Sequence, residues 1–255
     1  MTKRTLLNEM TRDEIREIAP TATLVIPTAA TEQHGPHLPV VTDCIIGGAL
    51  AARSAEIAAA EIPIVVGPVV PFGNSHHHLI YTALSLRTET YVTVLKDLLD
   101  CALQSGFRRI FFFNSHGGND ECIRIAARDL VLKNEASVGA CSYWTATAAV
   151  AAEAGVRDVG FFPGHAGGFE TAMMMALAPE LVRTGKLPRH ENHPVQLSNA
   201  GITNGWLMVK SGEWQRIDGY SDTPVRATPE AGKRLFYAIA AGMARVLVTF
   251  HKAAG

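Results

Sequence analysis

Glu32 and His34 stand two positions apart in the segment TEQHGPHLPVVTD, and Asp43 follows His34 after nine. Carboxylates neutralise the charge of a divalent ion and neutral imidazole donates a directional nitrogen, so these residues form a candidate metal-ligand set. An isolated Glu-x-His is as readily an exposed or hydrogen-bonded pair, and spacing alone does not establish convergence. His37, in the same segment, is open to three roles: a further ligand, a substrate contact, or a donor behind the ligands. In FFFNSHGGN an apolar run stops at Asn114, Ser115 and His116 and releases into Gly117 and Gly118, which permit a sharp turn and close ligand approach. His116 is thus a ligand candidate, with helix capping or solvation as its alternative. Asn114 and Asn119 are suited to orient the loop through side-chain hydrogen bonds. FFPGHAGGFET contributes His165, an imidazole able to exchange a proton near neutral pH, and Glu170, which either completes a metal shell or caps a helix. Tyr143 and Trp144 close the run SYW and can form a flat pocket wall or pack in the core.

The elements that would position these residues alternate between strand and helix signals. Residues 22–27, 62–70, 108–114 and 136–144 read as strands, the second because nine positions carry no charge. Helices are expected over 11–18, from Asp43 to about Ala59, over 89–104, after SHGGN, and over 170–177 and 229–248. This alternation favours a layered α/β fold with a mostly parallel central sheet. Ligands of such sheets meet the loops beyond the carboxyl ends of the strands, where TEQHG, PFGNSHHH and NSHGGN fall.

With 255 residues, 47% of them hydrophobic, and no Pro/Gly/Ser-rich linker, residues 1–255 are expected to form a single domain. Lys and Arg number 23 against 24 Asp and Glu, a net charge of -1, so no broad basic field attracts nucleic acid or anionic lipid. Cys44, Cys101, Cys122 and Cys141 lack the close spacing of a zinc knuckle or redox pair and read as buried thiols. The polar start and the absence of a long apolar run lead us to expect a soluble, cytoplasmic protein without a membrane span. Neither glycine-rich loop has the dinucleotide or phosphate-loop pattern, which leaves hydride transfer without support.

Taken in order, EQHGPHLP with Asp43, then NSHGGN, then GHAGGFET, resembles the creatininase, or creatinine amidohydrolase, superfamily, and the resemblance extends to GYSDTPVRATPEAGKRL. It implies a creatininase-like layered α/β fold, a homo-oligomer for which a hexamer and a dimer are both open, and two adjacent divalent ions at a small polar pocket. Glu32, His34, Asp43 and His116 match metal-ligand positions. Asp43 looks like the bridging carboxylate, with Glu32 and His116 completing one site and His34 on the other. Creatininase has a glutamate two positions after the histidine matched by His116, whereas this chain has Gly118; Glu170 is our replacement ligand. His165 matches the catalytic histidine that passes a proton to the leaving nitrogen. Gly73, Ser75 and His78 match a glycine-serine turn with a later histidine, although Tyr81-Thr82-Ala83-Leu84 departs from the aromatic-Pro-Gly-Thr that usually follows. Adjacent side chains need not face one centre, so His76, His77 and His78 are assigned supporting or pocket roles. The shell suits zinc and manganese, and iron is compatible.

The expected reaction is hydrolysis of a small cyclic amide or formamide by metal-activated water. A lactonase or other cyclic-carbonyl hydrolase is the enzymatic alternative. A noncatalytic small-ligand or metal-binding protein is the alternative of a different class.

Overall fold

The computed structural model describes residues 4–190 and 211–255. Four strands form one sheet: β1 (Thr23–Thr28), β2 (Ile64–Val66), β3 (Arg109–Asn114) and β4 (Ser137–Ser142). Every pairing is parallel and the order is β2-β1-β3-β4. Parallel neighbours require crossover connections. Helices α2 (Thr42–Ala58), α3 (Thr88–Gln104) and α4 (Asp120–Val131) supply the three crossovers in turn. The first helix, α1 (Arg12–Ile18), starts at a Thr11–Glu14 capping box. After the sheet come α5 (Tyr143–Glu153), α6 (Gly168–Leu177), the single turn α7 (Glu213–Arg216) and the long α8 (Pro229–Ala253), which opens with Pro229 behind the Thr228 cap. No helix among the described residues is long and apolar enough to cross a membrane.

Helices cover both faces of the sheet, and the strand sequences show it. Ile110 and Phe112 of β3 join the core against α3 and α4, while Phe111 and Phe113 join the core against α2, α6 and α8. Successive side chains of a strand point to opposite faces, so a strand buried on both needs an uninterrupted apolar run. Burying each of these phenylalanines contributes roughly 1.5–3 kcal/mol.

Two strands are shorter than the sequence suggests. Only Ile64–Val66 of the run 62–70 is strand, because Pro63 and Pro68 bracket it and proline has no N–H to donate to the ladder. The run 136–144 stops at Ser142, and Tyr143 and Trp144 open α5 instead. Their β preference is outweighed by the alanine-rich TATAAVAA that follows, a strong helix former.

The crossover after β1 runs to one side of it, and the next returns the chain across β1 to β3 on the other. This reversal between β1 and β3 opens a crevice at their carboxyl ends, the usual ligand site of doubly wound sheets. A polar tie spans that rim. Thr28, Asn114 and Ser142 are in register across β1, β3 and β4. The Thr28 hydroxyl donates to Asn114 Oδ1 (3.1 Å), and Asn114 Nδ2 donates to Ser142 Oγ (2.9 Å) and to the His116 carbonyl (2.7 Å). The His116 N–H returns a bond to Asn114 Oδ1 at 3.2 Å. Replacing Asn114 by alanine strands several fully buried partners, and we expect a loss of about 2–4 kcal/mol in urea unfolding. A loss under about 0.5 kcal/mol, the level of an ordinary surface change, would show that this tie does not hold the rim.

Candidate metal centre

The residues at the crevice arrive from four elements. Glu32 and His34 lie in the loop after β1, His116 follows β3 directly, and Asp43 and Glu170 occupy the first turns of α2 and α6. A helix N-terminus favours negative charge, which eases the burial of both helical carboxylates. All five residues are buried, from 0% exposed at His34 to 5% at Glu170.

Asp43 lies at the middle. Its Oδ1 is 3.2 Å from His34 Nε2, and its Oδ2 is 3.2 Å from His116 Nδ1. Glu170 Oε2 stands 3.7 Å from His34 Nε2, and Glu32 Oε1 stands 3.3 Å from His116 Nδ1. The outward nitrogens are tied to backbone: His34 Nδ1 lies 3.1 Å from the Glu32 carbonyl and His116 Nε2 lies 3.0 Å from that of Asn74. Each ring therefore donates outward and turns its other nitrogen to the carboxylates, the arrangement that orients metal-binding histidines.

Two observations test whether a divalent ion fits. Asp43 Oδ2 is a buried oxygen without a hydrogen bond, because its approach to His116 lacks the geometry of one. Among the described residues, the ion pairs of Glu32, Asp43 and Glu170 are with histidines, never with Lys or Arg. Buried carboxylates without a permanent cation call for one, and oxygen and imidazole donors suit a divalent metal. Ligand atoms of His34, Asp43 and Glu170 lie within 4.8 Å of one another; so do those of Glu32, His77 and His116, and those of Glu32, His34 and His165.

Titration behaviour separates the histidines. Burial opposes a charge on His34, but Asp43 and Glu170 outweigh it and lift the imidazole to about 10. His116 is likewise raised well above its usual value, with Glu32 the chief carboxylate overcoming burial. Burial, reinforced by the neighbouring His34 and His78, instead holds His165 far below the usual imidazole range. Burial also raises the Glu170 carboxyl, whereas for Glu32 the facing His116 and His78 overcome burial and keep it low.

Comparison with known proteins decides the relationship. The model of the creatininase family, described as creatinine amidohydrolase, matches residues 8–247. The chain belongs to the creatininase family. It is 29% identical over 247 residues to the mycofactocin precursor peptide peptidase of Mycobacterium tuberculosis, covering 91% of this chain and 86% of that protein. It is 30% identical over 212 residues to the creatinine amidohydrolase of Pseudomonas putida, covering 76% and 78% respectively. A solved structure described as "Creatininase Mn" shares the fold with a TM-score of 0.77 at 24% identity, covering 96% of this chain and 97% of that one.

In this creatininase-family hydrolase the remaining sequence candidates divide. Ser75 Oγ donates a short hydrogen bond to Glu32 Oε2 and leaves Oε1 to face the histidines. His78 Nε2 lies 3.6 Å from Glu32 Oε1, and His165 Nδ1 lies 3.5 Å from it. Trp144 lines the cavity of about 110 Å³ over the centre. Tyr143 does not line it; it packs in the core beside Phe113, Phe162 and Phe169. His37 stands apart as well, with Nε2 2.8 Å from Thr171 Oγ1, and does not line the cavity. A larger cavity of 880 Å³ opens at the other end of the sheet beside Thr21 and Pro63, and no histidine lines it.

His77, one of the three histidines given supporting or pocket roles, lines the cavity, stacks parallel to His116 at 5.7 Å and shares a potential ligand group, while His78 is the buried one of the three. Sequence reading missed other residues. Trp214 packs against His78 at 4.3 Å and His165 at 4.9 Å, and an isolated tryptophan in GEWQR carries no signal. Asp222 accepts from the N–H groups of Phe161 and Gly168 and from Ser221 Oγ, whose oxygen in turn receives the His165 N–H. Gly118 also gains a reason: a Cβ there would overlap the Asn74 carbonyl oxygen and come within 3.1 Å of His77 Cε1, so the histidine loop fills the space a side chain would need.

The raised values of His34 and His116 mean that both imidazoles are protonated at neutral pH before an ion binds. Ligation displaces those protons, so apparent affinity should rise with pH through the neutral range. Calorimetric titration of metal-free protein in buffers of different ionisation heat should report proton release. Binding without proton release would remove both residues from the ligand set.

Proposed function

We propose that this creatininase-family hydrolase cleaves the C–N bond of a small cyclic amide or a formamide, with two divalent ions at the centre. Asp43 carries the reading: each of its oxygens faces a different histidine, as a carboxylate shared between two ions would. Glu32 and His116 would complete one site, and His34 and Glu170 the other. Bound there, the ions supply Lewis acidity, polarising the substrate carbonyl and making water acidic enough to attack it near neutral pH. Zinc and manganese both suit this mixed shell.

The chain's own residues do the rest. Ser75 holds Glu32, and the backbone carbonyls of Glu32 and Asn74 hold the two ligand rings. His165 is neutral at pH 7 and lines the cavity, so it can accept a proton from the attacking water and deliver it to the leaving nitrogen. Trp144 and Trp214 wall a space whose 110 Å³ suits a small acyl group. A second reading, cleavage of a peptide, is favoured by the 91% coverage in the match to the mycofactocin precursor peptide peptidase.

Metal-loaded protein should hydrolyse a cyclic amide, a formamide or a short peptide. His165→Asn should lower kcat by about 10²–10⁴-fold with metal content unchanged. Glu170→Gln should reduce bound metal from two ions to one per chain, read by elemental analysis. Full turnover by metal-free protein would sink the mechanism, and unchanged metal content in Glu170→Gln would remove only that ligand.

A further inference from the structure

Gln33 sits between two of the proposed ligands and has no part in the hydrolysis described above. Its carboxamide is buried among the rings that flank the centre. Nε2 lies 2.8 Å from the Gly219 carbonyl, 2.9 Å from His78 Nδ1 and 3.0 Å from His165 Nε2, while Oε1 accepts the Gly35 N–H at 2.8 Å. The two backbone partners settle which way round the amide lies. The Gly35 N–H requires an oxygen and the Gly219 carbonyl requires an N–H, so the carboxamide has a single orientation. Gly219, at φ +72°, has no Cβ to obstruct it; one added there would stand 2.6 Å from Gln33 Oε1.

The ring protons follow from that orientation. His165 Nε2 lies 2.9 Å from the Gln33 main-chain oxygen, which can only accept. Its Nε2 therefore carries the proton, and the lone pair is on Nδ1, 3.5 Å from Glu32 Oε1. A protonated Nε2 cannot accept from the Gln33 amide, so the two amide hydrogens go to the Gly219 carbonyl and to His78 Nδ1. His78 accepts at Nδ1 and carries its proton on Nε2, which faces the same Glu32 oxygen at 3.6 Å. One residue thus presents the two rings in opposite senses, the first as a base and the second as a donor.

We infer that Gln33 is a positioning residue that sets the tautomers of His165 and His78, its main-chain oxygen fixing the first and its side-chain amide the second. The assignment rests on the reading of His165 as the proton-transfer group. A Gln33 that merely tied the Gly219 turn to the loop after β1 would leave the proton on His78 free to sit on either nitrogen.

The test uses the zinc-loaded full chain with ¹⁵N-labelled histidine rings, the two signals being assigned by their loss in His78→Asn and His165→Asn. Nε2–H tautomers are expected for both rings in the unsubstituted protein; an Nδ1–H on either overturns the inference. In Gln33→Glu the atom that donated to His78 becomes an acceptor, so the His78 proton should move to Nδ1. His165, held by the main-chain oxygen, should keep its Nε2–H signal in the same variant, with zinc content unchanged. Gln33→Met keeps the volume without the hydrogen bonds and should leave His78 a mixture of tautomers; it tests the same point if Gln33→Glu does not fold. An unchanged His78 signal in a folded variant overturns the inference. Expected tautomers without turnover of any tested amide would instead count against the proposed function alone.

Discussion

Three carboxylates buried at one point govern this structure. Glu32, Asp43 and Glu170 are each 5% exposed or less, and their mutual repulsion in a low-dielectric interior is relieved by positive charge among them and, at Glu170, by a carboxyl held in its neutral form by burial. Histidines occupy that position in the protein alone, and their raised protonation at His34 and His116 is the same attraction seen from the other partner. A divalent ion satisfies the same demand with more charge in less space. Ser75, Asn114 and the backbone carbonyls on the outer ring nitrogens then read as the means of holding mutually repelling groups in one geometry.

The sheet decides where that point can be. Because the strand order reverses between β1 and β3, the loops leaving these two neighbours separate and open a crevice, and the first turns of α2 and α6 reach it. Such a crevice accommodates many chemistries, so the fold by itself does not name a reaction. The family match is what identifies a hydrolase.

Much of the fold was legible because both of its signals are local. RIFFFN announces a strand buried on two faces, and the amphipathic or alanine-rich stretches announce the crossover helices. The failures were local signals overruled by neighbours: prolines shortened β2, and the helix-forming run after Trp144 drew Tyr143 and Trp144 out of β4. Of the roles open to Tyr143 and His37, Tyr143 takes core packing, and His37 meets Thr171 without lining the cavity, because a residue's place in a motif does not fix the face its side chain takes.

By itself the sequence determined the donor types and the segments that carry them, since Glu-x-His, the later Asp, and the histidine after an apolar strand are short-range patterns. It also determined an α/β alternation that places those segments at strand ends. Only the tertiary structure decided which groups meet: His165 donates to the Gln33 main-chain oxygen across 132 positions, and Gly118 is empty because the Asn74–His78 loop fills its space. Glu170, remote in sequence, is brought to His34 by the packing of α6. Those contacts depend on how helices settle on the sheet, a collective outcome of packing that no single segment encodes.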